Sequence, residues 1–274
     1  MKRKEGAWTV LGAMLIILWA LAPVVWIFSL SFKAGDDINN KSFWPSQFST
    51  ENYETVFNTP LFTSALRNSI GISLISTALS VAIATVAAYA IARLDFPGKR
   101  AVLSIALAIA MFPAVSLVGP LFNIWRTVGL YDTWIGLIIP YMSFTLPLSL
   151  WTLSAFFREI PWEMEEAAQM DGATPWQAFR KVIVPLAAPG VFTAAILAFF
   201  FAWNDFVFGI SLTSTNSARP VPAALAFFTG ASQFQQPAGA ISAAAVVVTI
   251  PVIVLVLLFQ KKIVAGLTNG AVKG

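Results

Sequence analysis

The stretch Pro-Trp-Glu-Met-Glu-Glu-Ala-Ala-Gln-Met-Asp-Gly-Ala-Thr-Pro-Trp-Gln-Ala-Phe-Arg-Lys-Val-Ile-Val-Pro, residues 161–185, interrupts a chain made mostly of long apolar segments. It carries four acids close together, Glu163, Glu165, Glu166 and Asp171. Pro161 can open a helix at its first position, where the missing N–H costs nothing, and carboxylates in the early turns favour the helix dipole. Asp171-Gly172 reads as the end of that helix, with Gly172 free to take a positive φ. Thr174 then caps a second helix, with Pro175 at its first position and Gln177 three residues after the cap, as in a capping box. Pro185 is expected to stop it. The pattern predicts two short helices over about 160–185, set at an angle between two membrane spans and facing water.

Composition fixes the surroundings. Of 274 residues, 58% are hydrophobic and 11% charged, against about 45–50% and about 25% in soluble domains. The chain therefore reads as an integral membrane protein, a single membrane domain over 1–274. It has no cysteine and no histidine, which excludes disulfide frameworks, thiol nucleophiles, Ser-His-Asp triads and imidazole or thiolate metal sites. Neither G-x-x-x-x-G-K-[ST] nor G-x-G-x-x-G occurs, so any ATP used must be bound by another chain.

Six apolar runs are long enough to cross a hydrocarbon core of roughly 30 Å. They lie at about 8–32, 68–92, 101–119, 135–157, 190–212 and 240–260. The first follows Lys2-Arg3-Lys4 and is too long for a signal peptide, so it reads as a retained span. Between Pro120 and Trp134, Leu121, Ile124, Trp125 and Val128 fall at helical spacing, which predicts a short helix lying in the interface. Prolines at 113, 120, 140, 147 and 251 predict bends, which membrane bundles tolerate where neighbours satisfy the freed backbone. With the N-terminus inside, 12 of the 17 basic residues fall on inside segments, among them Arg93, Lys99, Arg100, Arg158, Arg180 and Lys181, and 5 outside (Lys33, Lys41, Arg67, Arg126, Arg219). The positive-inside rule then puts both termini and the Glu166 stretch in the cytoplasm. The same distribution argues against nucleic acid as the reason for the net charge of +4.

Two readings fit residues 161–185 taken alone. One is a membrane-proximal connector with a solvated acidic face; the other is a surface for a partner, since a capped helix pair moves as a unit. The apolar positions Ile160, Met164, Ala167 and Ala168, then Trp176, Phe179, Val182 and Ile183, give each helix an apolar and a charged side. Asp205 is the one acid well inside an expected span, a placement that costs about 2.5–3.5 kcal/mol on insertion scales. It reads either as a residue lining a path beside Trp203 and Asn204, or as one end of an interhelical hydrogen bond. The loop around Ser232, Gln233, Gln235 and Gln236 offers donors and acceptors outside the membrane, as a contact surface or as a plain connector.

Glu166-Ala167-Ala168, Gly172 six residues after the glutamate, then an aliphatic residue and Pro185 resemble the cytoplasmic loop of importer permeases of the ATP-binding-cassette class. Ala88-Tyr89-Ala90-Ile91-Ala92-Arg93, Met111-Phe112-Pro113 and Trp203-Asn204-Asp205-Phe206 are similar to the second permease of the carbohydrate branch, the maltose-importer type. The tail Gly266–Gly274 is also similar. The stretches 153–162 and 180–190 look most like the permeases of trehalose importers. One departure is Asp205, where many relatives carry glutamate.

The resemblance implies an all-α, type I importer permease fold with six spans, and a disaccharide, trehalose, as cargo. It implies docking of an ATPase dimer on Glu165, Glu166, Ala167, Ala168, Asp171, Gly172, Ala173, Phe179 and Pro185. It further implies ATPase contacts from Gly270, Lys273 and Gly274, and contact of the loop carrying Ser232, Gln233, Gln235 and Gln236 with an extracellular binding protein. A homologous sister permease completes the expected assembly in the plasma membrane. ATP and Mg would sit on the ATPase subunits, with no cofactor and no catalytic residue on this chain. The alternatives are a self-contained secondary transporter or channel, for which the spans offer one acid without a buried basic partner, and a membrane enzyme, for which they offer no paired carboxylates.

Overall fold

A computed structural model describes residues 6–228 and 237–271, all helix and connections, with no strand among the described residues. The helices are α1 (Ala7–Ser31), α2 (Glu51–Asn58), α3 (Pro60–Arg93), α4 (Lys99–Ala110), α5 (Ala114–Val128) and α6 (Trp134–Glu159). They continue with α7 (Glu163–Met170), α8 (Pro175–Leu186), α9 (Ala188–Trp203), α10 (Val207–Leu212), α11 (Val221–Leu225) and α12 (Ala238–Ala271). Among the described residues, four helical stretches are long and apolar enough to cross a membrane: Trp8–Ser31, Pro60–Arg93, Trp134–Glu159 and Ala238–Phe259. Two bent pairs, α4 with α5 at 87° and α8 with α9 at 71°, raise the number to six if each is one span.

The chain forms two compact units. The first takes Met1–Thr63 and Ala224–Pro251. In it α1 is apolar all round, with mean hydropathy 2.5 and no part of its most apolar window buried. Past its end Lys33 is fully buried, donating from Nζ to the carbonyls of Asn40 and Ser42 and lying over the Trp26 ring. Asn52 of α2 closes this turn by donating to the carbonyls of Ser31 and Lys33. The segment between α1 and α3 is thus folded, with a 3-10 turn at Gly35–Asn39 and α2 inside it.

The second unit takes Ser64–Ala223 and Val252–Gly274. Its centre is α6, packed on α4 and α9. One core joins Ala84, Ala88 and Ile91 of α3 to Leu150, Leu153 and Phe157 of α6, Phe179 and Ile183 of α8, and Ala194 and Ala198 of α9. The small residues let backbones approach closely, as helix pairs in membranes require. At Gly190 a Cβ would collide with the Phe156 ring, so the α9–α6 contact admits nothing larger than hydrogen there.

Within the spans, helix boundaries depart from the sequence reading at several places. The run 101–119 is not one straight helix: α4 ends at Ala110, Pro113 takes an extended ψ of 118°, and α5 starts at Ala114. Pro113 has no N–H to continue the ladder, and its ring disfavours helix in Phe112. The separate surface helix expected from Pro120 is instead the second half of α5, with Pro120 inside it. The run 190–212 is divided at Asn204–Phe206. Finally, α3 begins at Pro60 instead of 68, which makes it 34 residues long, or about 50 Å.

Candidate functional site

The helix pair is held by local signals. Trp162 caps α7, so the helix starts at Glu163, two residues later than a start at Pro161 would give, and Glu163, Glu165 and Glu166 occupy the first turn. At the other end the Gly172 N–H donates to the Gln169 carbonyl and the Ala173 N–H to that of Ala168, with Gly172 at φ +88°. These are the two bonds of a Schellman motif, and a Cβ at that φ would be strained. Thr174 and Gln177 form both bonds of the capping box: the Gln177 N–H donates to Oγ1 at 3.3 Å, and the Thr174 N–H donates to Oε1 at 2.9 Å. The second helix does not stop at Pro185. A π-turn over Phe179–Ile183 precedes it, with the Val184 N–H donating to the Phe179 carbonyl. The wider turn relieves the clash between the Pro185 ring and the preceding carbonyls. The helix ends one residue later, at Leu186.

The nine coupling candidates divide by burial. Glu165 and Phe179 point into the protein, 6% and 5% exposed. Ala168 and Ala173 are half-buried, while Glu166, Ala167, Asp171, Gly172 and Pro185 are exposed. The apolar side expected for α7 is only in part its packed side, because Met164 and Ala167 face outward while Glu165 faces in. The exposed face therefore mixes Glu166 and Asp171 with Met164, Met170 and Trp176, the last two 82% and 60% exposed. Such an apolar cluster rimmed by charge is typical of surfaces that meet a partner.

Beneath that face lies a cluster that sequence reasoning did not assemble. The Tyr89 hydroxyl donates to Glu165 Oε1, and Arg93 Nε stands 3.8 Å from Glu165 Oε2. Arg93 Nη2 donates to the Ile160 carbonyl at 2.6 Å, and the guanidinium lies 4.5 Å over the Trp162 ring. The Tyr89 ring is 4.5 Å from that of Phe179. The available signal was the i, i+4 pair Tyr89 and Arg93 at the end of an apolar helix, where a charge is expected to have a partner.

The other acid of interest, Asp205, lies in the break between α9 and α10, not within a helix. Its Oδ2 accepts from the Gly209 N–H and the Tyr141 hydroxyl, both at 2.9 Å. The carboxylate thus satisfies the open start of α10, the role a capping side chain plays, and ties it to α6. The interhelical hydrogen bond weighed from the sequence is present. Trp203 is 2% exposed and stacked on Phe199, while Asn204 is exposed and donates back to the Phe200 carbonyl. Among the three residues named for a path, the structure leaves Asn204 facing outward.

Between α5 and α6, Asp132 takes φ +58° and gathers the segment after α10. Oδ1 accepts from the Ser214 and Thr215 N–H groups, and Oδ2 from the Thr215 and Ser217 hydroxyls. Burial pushes this carboxyl up, but the donors from residues 214–217 outweigh it and hold the group below its ordinary value. No group of acids able to hold a metal occurs among the described residues. Ser232, Gln233, Gln235 and Gln236, and Lys273 and Gly274 of the tail, lie outside the described residues; Gly270 falls within α12.

Comparison with known proteins places this geometry. Residues 80–269 match the model of the family described as the binding-protein-dependent transport system inner membrane component. The chain is 59% identical to the trehalose transport system permease protein SugB of Mycobacterium tuberculosis over 272 residues, 99% of each chain. It is 39% identical to the trehalose/maltose transport system permease protein MalG of Thermococcus litoralis, over 97% of this chain and 96% of that one. In three dimensions it is similar to a chain of a bacterial ABC transporter involved in the import of the acidic polysaccharide alginate, with a TM-score of 0.79 at 26% identity, over 95% of this chain and 98% of that one. The all-helical chain, with its spans and its capped helix pair, belongs to the inner membrane components of binding-protein-dependent transport systems, as a multi-pass permease of the importer fold.

Proposed function

We propose that the chain is a permease subunit of an ATP-driven importer that carries a disaccharide, trehalose, across the plasma membrane by alternating access. The observation that carries the proposal is the likeness over essentially the full chain to SugB, at 59% identity. In this reading each bent pair counts as one span, giving six spans with both termini in the cytoplasm, as the distribution of basic residues favours. An ATPase dimer, which binds ATP and Mg, docks on the exposed face of α7 and α8 through Glu166, Asp171 and the apolar Met170 and Trp176. The supporting geometry is a rigid, doubly capped helix pair whose acids and apolar side chains share one exposed face. A sister permease completes the pore, and an extracellular binding protein delivers the sugar to the loop holding Ser232, Gln233, Gln235 and Gln236. The last residues, Gly270, Lys273 and Gly274, extend the contact with the ATPase.

The test is uptake of labelled trehalose by proteoliposomes holding this permease with its sister chain, ATPase and binding protein. Uptake is expected only with ATP inside and is expected to fall for unrelated disaccharides. Glu166→Lys should leave the chain in the membrane but abolish ATP-driven uptake, and Gly172→Leu should do the same by straining the Schellman turn. Transport by either variant at the wild-type rate, in an intact complex, would remove the docking role; uptake independent of ATP would remove the whole reading.

A further inference from the structure

The proposed docking face is the exposed side of α7 and α8; the inference made here rests on that reading and concerns their buried side. Tyr89 and Arg93 stand one helical turn apart near the end of α3. Between them they hold the Ile160 carbonyl, the Trp162 ring and the Glu165 carboxylate. Those three points span six residues, and they bracket the joint where α6 ends at Glu159 and α7 begins at Glu163. Ile160 is extended there, with ψ 126°, so the backbone of the joint carries no helical ladder. A force on α7 can flex this joint or pass through the side chains into α3, and the stiffness of the side-chain cluster decides which.

The cluster is not closed. Arg93 Nε and Glu165 Oε2 are both buried, and neither has a hydrogen-bond partner among the described residues. They stand 3.8 Å apart, where a charge-assisted hydrogen bond would bring them to about 2.8 Å. A buried charged group without its bond is costly, so a displacement of about 1 Å bringing α7 and α3 together is favoured by both atoms at once. We infer that Tyr89, Arg93 and Glu165 are positioning residues which pass the displacement of α7 to α3, and that the Nε–H···Oε2 bond closes in the conformation driven by the ATPase. Glu166, the neighbouring acid, faces the partner; Glu165 faces the span.

The decisive measurement is the ratio of sugar taken up to ATP hydrolysed, with the complete importer in proteoliposomes. Arg93→Met combined with Glu165→Met removes both charges for apolar groups of similar volume, an exchange that is often neutral or stabilising when a pair only supports structure. Transmission through the pair predicts normal recovery of the complex with a fall of roughly 5-fold or more in uptake per ATP, the lower range of measured couplings between sites. Arg93→Lys, which keeps charge but loses the fork and the stacking on Trp162, should lower the ratio less. Tyr89→Phe should lower it least. A double variant with a wild-type ratio overturns the inference, as does a parallel loss of uptake and hydrolysis in proportion to the complex recovered. Should the double variant fail to assemble, the ratio for Arg93→Lys and Tyr89→Phe decides by the same criterion. Absence of ATP-driven uptake by the wild-type complex would instead count against the proposed function.

Discussion

Two carboxylates of the second unit are drawn into the protein, and each accepts a tyrosine hydroxyl from a long helix: Glu165 from Tyr89 of α3, and Asp205 from Tyr141 of α6. Their remaining partners differ in kind. Asp205 is completed by main-chain N–H groups four and fewer residues ahead, so its geometry is fixed by the start of α10 itself. Glu165 is completed by the side chain of Arg93, 72 positions away, at a distance that leaves room to shorten. Both acids join two elements, but Asp205 is locked by its local backbone, whereas Glu165 keeps an unmade bond. The contrast separates a fastening from a joint, and position in an apolar sequence would not have told them apart.

That contrast can be broken most severely at Arg93. Arg93→Met alone leaves the Glu165 carboxylate buried without its counter-charge, and we expect a loss of about 3–5 kcal/mol, read as thermal unfolding of the purified chain by tryptophan fluorescence. A change within experimental error would mean that Glu165 is already stabilised by Tyr89 alone. At Asp205 the effect should be smaller and insensitive to charge: Asp205→Ala is expected to cost about 1–2 kcal/mol through the lost cap, and Asp205→Asn much less, because an asparagine oxygen caps as well. If Asn proves as harmful as Ala, charge is what the site needs and the two acids are alike.

The smallest effect concerns Asp132, a third gathering carboxylate and one that lies outside the spans. Its folded value is lowered, so its contribution is fully present above the unfolded value of about 3.9 and is lost as pH falls through the lower folded value. The difference in melting temperature between wild type and Asp132→Asn should therefore shrink as pH drops from about 5 toward 3. A difference that stays constant over that range would show that the donors at 214–217 do not distinguish the charged form.

Legibility in the sequence tracks the range of the forces involved. The helix pair is legible because its determinants are neighbours: Gly172 ends α7 and Thr174 with Gln177 starts α8, all within six residues. The runs of apolar residues are equally legible, since hydropathy needs no partner. The break at Asn204–Phe206 was hidden because the flanking residues are uniformly apolar, although Asn-Asp shortly before Val-Phe-Gly matches a cap signal. Which of Glu163, Glu165 and Glu166 turns inward is set by the phase of α7 against α3, and no local pattern contains that. The same holds for Asp132, whose donors come from 82 to 85 positions along the chain.

The π-turn at Phe179–Ile183 means that α8 holds one residue more than a regular helix would use to cover the same rise. Everything beyond it, Pro185 and the 71° bend included, is thereby rotated by about 100° with respect to Trp176 and the capping box. Removing a single residue from 179–183 would leave a helix of ordinary pitch but would aim α9 along a different azimuth. Chain length in this one turn is thus a dial for direction: it sets where the following segment points while leaving the exposed face of α7 and the first turn of α8 untouched.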